Sequence, residues 1–113
     1  MKSRENKVFF IPSEKLIEIL PNEIGGGFAT DMIMVDGDII RYMYRENPDD
    51  KYDSGWRFFS GKESQEYVDD PNNTSFYKLN TIANYDQSII SYLNLPIGTE
   101  LERIEDTNLF EII

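Results

Sequence analysis

Asp53-Ser54-Gly55-Trp56-Arg57-Phe58-Phe59-Ser60-Gly61 decides how this chain folds. Read as a strand, it puts Trp56 and Phe58 on one face and Arg57 and Phe59 on the other. Large side chains on both faces mark a central strand, covered on both sides. Trp56, the only tryptophan, is read as a core anchor. Arg57 points away from Trp56, so the two do not form one stacking site. A buried arginine requires a carboxylate, and Asp53 and Asp86 are the candidates. A structural ion pair is favoured over an anion site, with Arg41 and Arg45 close by if their strands pair.

Upstream, Phe28 to Val35 and Asp38 to Arg45 flank Asp36-Gly37. Asp-Gly between two apolar runs predicts a hairpin. Ile40, Tyr42 and Tyr44 then share one face of its second strand, and Ile39, Arg41, Met43 and Arg45 the other. The alternative is a short helical turn over Met32 to Asp36, stopped by Gly37. Gly25-Gly26-Gly27 reads as a turn, since no Lys-Ser/Thr pair follows to make a phosphate loop. Val8-Phe9-Phe10-Ile11 predicts a short buried strand. Pro12-Ser13 opens a helix with Ser13 as its cap; Leu16, Ile17 and Leu20 form the apolar stripe and Pro21 ends it.

Downstream, Glu46 to Lys51 is a polar loop, and Lys62 to Asp70 predicts a short helix with Tyr67 and Val68 toward the core. Leu79 to Ala83 makes a helical turn. Asp86 caps a helix over Gln87 to Leu93, with Tyr85 and Ile90 at the spacing of a hydrophobic staple. Thr99 to Ile104 is a strand, and Leu109 to Ile113 an added edge strand. The fold class is α+β: a single domain over 1–113, with a mainly antiparallel sheet and helices packed against it.

With 113 residues, 40% hydrophobic and 13% aromatic, the chain builds one core without cross-links. It has no cysteine and no histidine, which removes disulfides, thiolate and imidazole metal sites, and the usual hydrolytic triads. No catalytic residue and no cofactor is expected. The net charge of −10 argues against a nucleic-acid partner and favours encounter with a basic one. No apolar run approaches a signal peptide or a bilayer span, so a cytoplasmic protein with no membrane partner is expected.

Residues 46–70 hold eight acids and three bases, half of the whole net charge. Asp69-Asp70-Pro71-Asn72-Asn73 lacks the spacing of a calcium loop, so no metal site is expected and a solvated acidic face is favoured. Carboxylate pairs for glycosidase-type chemistry carry no signal in a chain this acidic. The candidate partner-binding residues are Asp49, Asp50, Asp53, Glu66, Tyr67, Asp69 and Asp70, with Tyr52 a further aromatic anchor.

Three stretches in order carry a family resemblance: Tyr42-Met43-Tyr44-Arg45-Glu46, Asp53 through Gly61, and Leu79-Asn80-Thr81-Ile82-Ala83-Asn84-Tyr85-Asp86. The acidic stretch and Pro96-Ile97-Gly98 add to it. The chain resembles a bacterial domain family first catalogued as of unknown function, twenty-one eighty-five, and later grouped as immunity-protein domain thirty-three of polymorphic toxin systems. The resemblance covers about 27–103 and leaves 1–26 as an N-terminal strand–helix elaboration. It implies a binding protein that neutralises a cognate protein toxin, and brings no catalytic residues; the acidic charge makes a basic toxin the expected partner. Tyr44, Arg45, Trp56, Arg57, Asn80 and Asn84 match its pattern, as fold residues or as contacts. The alternative reading is a non-catalytic regulatory or scaffold module without a toxin partner. A third is an acid-catalysed or metal-assisted hydrolase.

Overall fold

The computed structural model describes residues 7–113. Six strands form one sheet: β1 (Gly26–Thr30), β2 (Tyr42–Arg45), β3 (Asp53–Phe59), β4 (Thr74–Lys78), β5 (Glu100–Arg103) and β6 (Phe110–Ile112). Their order across the sheet is β4-β1-β3-β2-β5-β6. β1 and β3 run parallel and the other neighbours antiparallel. Three helices, α1 (Asp31–Met34), α2 (Gln65–Asp69) and α3 (Leu79–Tyr85), and a 3-10 helix over Gln87–Tyr92 complete the α+β architecture.

The strand reading of Trp56 holds. β3 lies inside the sheet and Trp56 is fully buried. Its indole N–H donates to the Leu93 carbonyl at 3.0 Å, which satisfies the one polar atom that burial would strand. Around it pack Ala29, Met43, Phe58 and Leu101 from the strands, Ile33 and Met34 from α1, and Leu79 and Ile82 from α3. The helices thus cover one face of the sheet. Asp86 accepts from the Ser88 N–H at 3.2 Å as the cap of the 3-10 helix. Its other oxygen meets Arg103 at 2.5 Å and the Ile40 N–H at 3.0 Å, which ties that helix to β5.

The Asp36-Gly37 hairpin does not form; the helical alternative does. β1 ends at Thr30, α1 follows, and Gly37 sits at φ +80° with its N–H on the Ile33 carbonyl at 3.1 Å. A left-handed glycine closes a helix as readily as a hairpin, and the parallel pairing of β1 with β3 leaves β2 no place beside β1. Gly26 and Gly27 lie within β1 and do not form a turn; the Phe76 ring covers Gly26.

The N-terminal strand and helix are also absent. Val8 is 82% and Phe10 61% exposed, and 3-10 turns at Ser13–Lys15 and Asn22–Ile24 replace the predicted helix, with no side-chain cap from Ser13. The cause lies on α3. Asn80 Oδ1 accepts from the N–H groups of Ile19 and Leu20 at 2.6 and 2.8 Å. Asn84 Oδ1 accepts from the Ile17 N–H at 3.0 Å, and both asparagines donate to the Ile17 carbonyl, at 3.0 and 2.9 Å. These amides take the backbone groups that a helix would have used internally.

Two outcomes test this packing. Trp56→Ala removes a buried ring and a hydrogen bond, and is expected to cost ~3 to 5 kcal/mol in chemical denaturation. A water-exposed tryptophan emission maximum in the native wild type would contradict the burial. Asn80→Ala is expected to cost ~1 to 2 kcal/mol and to speed amide exchange at Ile19 and Leu20 while sparing β3.

Candidate partner-binding face

Alternation along each strand sends every second side chain to the face away from the helices. Register lines them up. Phe76 on β4 stands opposite Phe28 on β1, Phe28 opposite Arg57 on β3, Arg57 opposite Tyr44 on β2, and Tyr44 opposite Glu100 on β5. The next row runs Phe59, Tyr42, Glu102 and Glu111. Phe28 and Phe76 meet edge-on at 5.3 Å. Tyr44 stacks on Phe59 at 5.8 Å and 11°, and Tyr42 leans on both at 5.9 and 5.6 Å. All five rings are half-buried. The residual exposure exists because no helix among the described residues packs on this face.

Arg57 occupies the centre and is 5% exposed. Its two terminal nitrogens each meet one Asp53 oxygen at 2.9 Å, a bidentate pair, and its Nε meets Glu46 at 2.6 Å. The guanidinium lies 4.8 Å over the Phe28 ring. In a regular strand, residues four apart are separated by roughly 13 Å, too far for this contact. A bulge closes the gap: Gly26 pairs with Asp53 but Phe28 with Arg57, so four residues of β3 run past two of β1. Gly55, at φ +93°, turns the bulge, and a Cβ there would lie 2.1 Å from the Glu46 carbonyl oxygen. Burial by itself pushes the Asp53 carboxyl up, but Arg57 and the N–H groups of Asp49 and Gly55 hold it down at about 2.

The residues nominated from sequence do not form one surface. Asp49 and Asp50 are exposed beside Phe28, Tyr52 and Phe76 around a groove of about 370 Å³. Asp53 is 6% exposed and committed to Arg57. Glu66 and Asp69 are exposed on α2, near the end of β1 where Thr30 binds Glu63 at 2.6 Å. Asp70 caps the turn at Pro71–Asn73, accepting from the Asn72 N–H at 3.0 Å. Tyr67 is half-buried, and burial and the Asp31 charge push its phenol up to about 12. Tyr52 is 64% exposed under Lys51. The Asp49 and Asp69 groups lie at opposite ends of β3.

Sequence reasoning missed Phe28, Tyr42, Tyr44, Phe59 and Phe76 as one surface. The alternation of Tyr42 with Tyr44 and of Arg57 with Phe59 was visible, but the register joining them was not. Among the described residues no cluster of three or more acids is arranged to hold a metal ion, and no helix is long and apolar enough to cross a membrane.

A broad sheet face of aromatic side chains around a neutralised ion cluster offers area more than a cleft. Residues 27–113 match the family described as Immunity protein Imm33 domain, and the chain belongs to that family. The match starts within β1 and runs through β6, so it takes in the whole aromatic face. No curated protein and no solved structure matches the chain.

The ion cluster makes stability acid-sensitive. The folded-state Asp53 carboxyl lies below its ordinary value of about 4, so its contribution is complete above about pH 4 and lost as pH falls through 2. About 2 kcal/mol should disappear across that window in wild type. Asp53→Asn is expected to lack that part of the acid dependence and to cost ~3 kcal/mol at neutral pH. Identical acid profiles for the two proteins in urea titrations would count against the pair.

Proposed function

We propose that this chain is an immunity protein that acts in the cytoplasm and neutralises a cognate basic protein toxin by direct contact, with no catalytic step. The observation that carries this reading is the family match over residues 27–113. The geometry supports the open sheet face as the contact surface. Half-buried aromatic rings lose little conformational freedom on binding and make strong anchors. Asp49 and Asp50 at one end, with Glu100 and Glu102 along β5, lay negative charge around them. Such a rim steers a basic partner and raises its association rate more than its final affinity. Glu66 and Asp69 at the far end of the sheet add to the long-range field, whereas Asp53 and Asp70 serve the fold.

The test is growth. Proteins encoded beside this chain's gene are expressed with and without it. One of them is expected to arrest growth alone and to be tolerated when the chain is present. Paired reversal, Asp49→Lys with Glu102→Lys, is expected to slow association of the two purified proteins at low salt, with little effect at about 0.5 M salt, where screening is complete within a few ångströms. Growth arrest by no neighbouring protein, or arrest without protection by this chain, would overturn the reading.

A further inference from the structure

We propose that the ring cluster of Tyr42, Tyr44 and Phe59, with the Glu100 carboxylate beside it, is the receptor for an arginine side chain on a basic protein partner. The proposal rests on the open face being the partner surface and identifies what that surface reads.

Aromatic faces attract cations, and a planar guanidinium stacks on a ring while its edge forks to a carboxylate. The chain uses this chemistry on itself. Arg57 lies over Phe28 at 4.8 Å, Arg45 over Trp56 at 5.9 Å, Lys51 over Tyr52 at 5.1 Å and Arg103 over Phe110 at 4.7 Å. None of these contacts involves Tyr42, Tyr44 or Phe59, although those three rings lie within 6 Å of one another. The neighbouring arginines are already engaged. Arg57 is held by Asp53 and Glu46, and Arg45 is turned to the opposite face, where it donates to the Ser54 and Leu95 carbonyls at 2.9 and 2.8 Å.

Glu46 is taken up by Arg57, but the two acids that β5 places across from Tyr44 and Tyr42, Glu100 and Glu102, lack such engagement. Among the described residues neither Glu100 nor Glu102 is in an ion pair. The Tyr42 hydroxyl donates to the Glu100 carboxylate and fixes it against the cluster. Burial and Glu100 together push the Tyr42 phenol up, so it stays protonated and keeps that bond. A groove of about 550 Å³ runs past Tyr42 and Tyr44 between Glu46, Ile97 and Glu100, with room for an extended side chain; Arg45 also lines it, but its guanidinium is spent on the Ser54 and Leu95 carbonyls. A chain of net charge −10 complements a basic protein surface as a whole, and this groove supplies the local match.

The probe is a blocked Gly-Arg-Gly peptide, followed by NMR and compared with its citrulline analogue, which keeps the shape and loses the charge. The arginine peptide is expected to move the ring resonances of Tyr42, Tyr44 and Phe59 saturably and to bind about tenfold more tightly than the citrulline peptide. Tyr44→Leu and Glu100→Gln are each expected to weaken it, whereas Tyr44→Phe, which keeps the ring, retains it and controls for folding. Equal response to both peptides, or shifts spread over Asp49, Glu66 and Asp69 with none at the rings, overturns the proposal. The peptide assay needs no toxin. Failed growth protection with a positive titration overturns the toxin reading alone, and a negative titration with growth protection overturns the arginine site alone.

Discussion

A guanidinium set in the middle of a sheet has to be neutralised where it stands. Arg57 meets that constraint with Asp53 from its own strand and Glu46 from the neighbouring loop. Bringing Asp53 within reach requires the bulge, and the bulge requires Gly55. The Glu46 N–H then bonds the Gly55 carbonyl at 2.9 Å, which fixes how β2 leads into its loop. Because β2 carries Tyr42 and Tyr44, the ion cluster indirectly sets the aromatic face. Without it, β3 would keep its Trp56 side and lose the reference for the other.

The two faces of β3 also separate the residues that close the core from those proposed to meet a partner. Trp56 and Phe58 close the dry core against α1 and α3, and their burial does not depend on what covers the opposite side. The aromatic rings there are packed against each other, so their rotamers are restricted by their neighbours. That arrangement keeps the entropy of ordering small when the face is covered. The exposed carboxylates lie at the ends and along β5, where they shape the surrounding field without being desolvated in the centre.

How much of this was legible follows from the range of the interactions. Local alternation identified β3 and the burial of Trp56; it left Asp53 and Asp86 both open as partners of Arg57, and the bulge decides for Asp53. Asp86 as a cap and Leu109 to Ile113 as an edge strand were legible for the same reason. The hairpin at Asp36-Gly37 failed because a glycine at positive φ serves two kinds of turn, and only the distant pairing of β1 with β3 decides between them. The helix over Ser13 to Leu20 failed because its periodicity was real but its backbone was claimed by Asn80 and Asn84, some sixty positions away. The aromatic face stayed hidden for a related reason: each strand contributes one or two rings, and only register makes them neighbours. Net charge in a sequence window was a poor guide, since a strand separated the two halves of the acidic segment.

The clasp from α3 has a further consequence. Asn80 and Asn84 bind residues 17–20 through peptide groups alone, and Ile17 itself is 60% exposed. A grip on peptide groups does not read side chains. Side-chain demand in this strap falls on Leu20, which packs against the core, while exposed Ile17 is held by its backbone. The clasping pair lies inside the matched domain and the strap before it, so side chains of the domain hold the backbone of a segment outside the match.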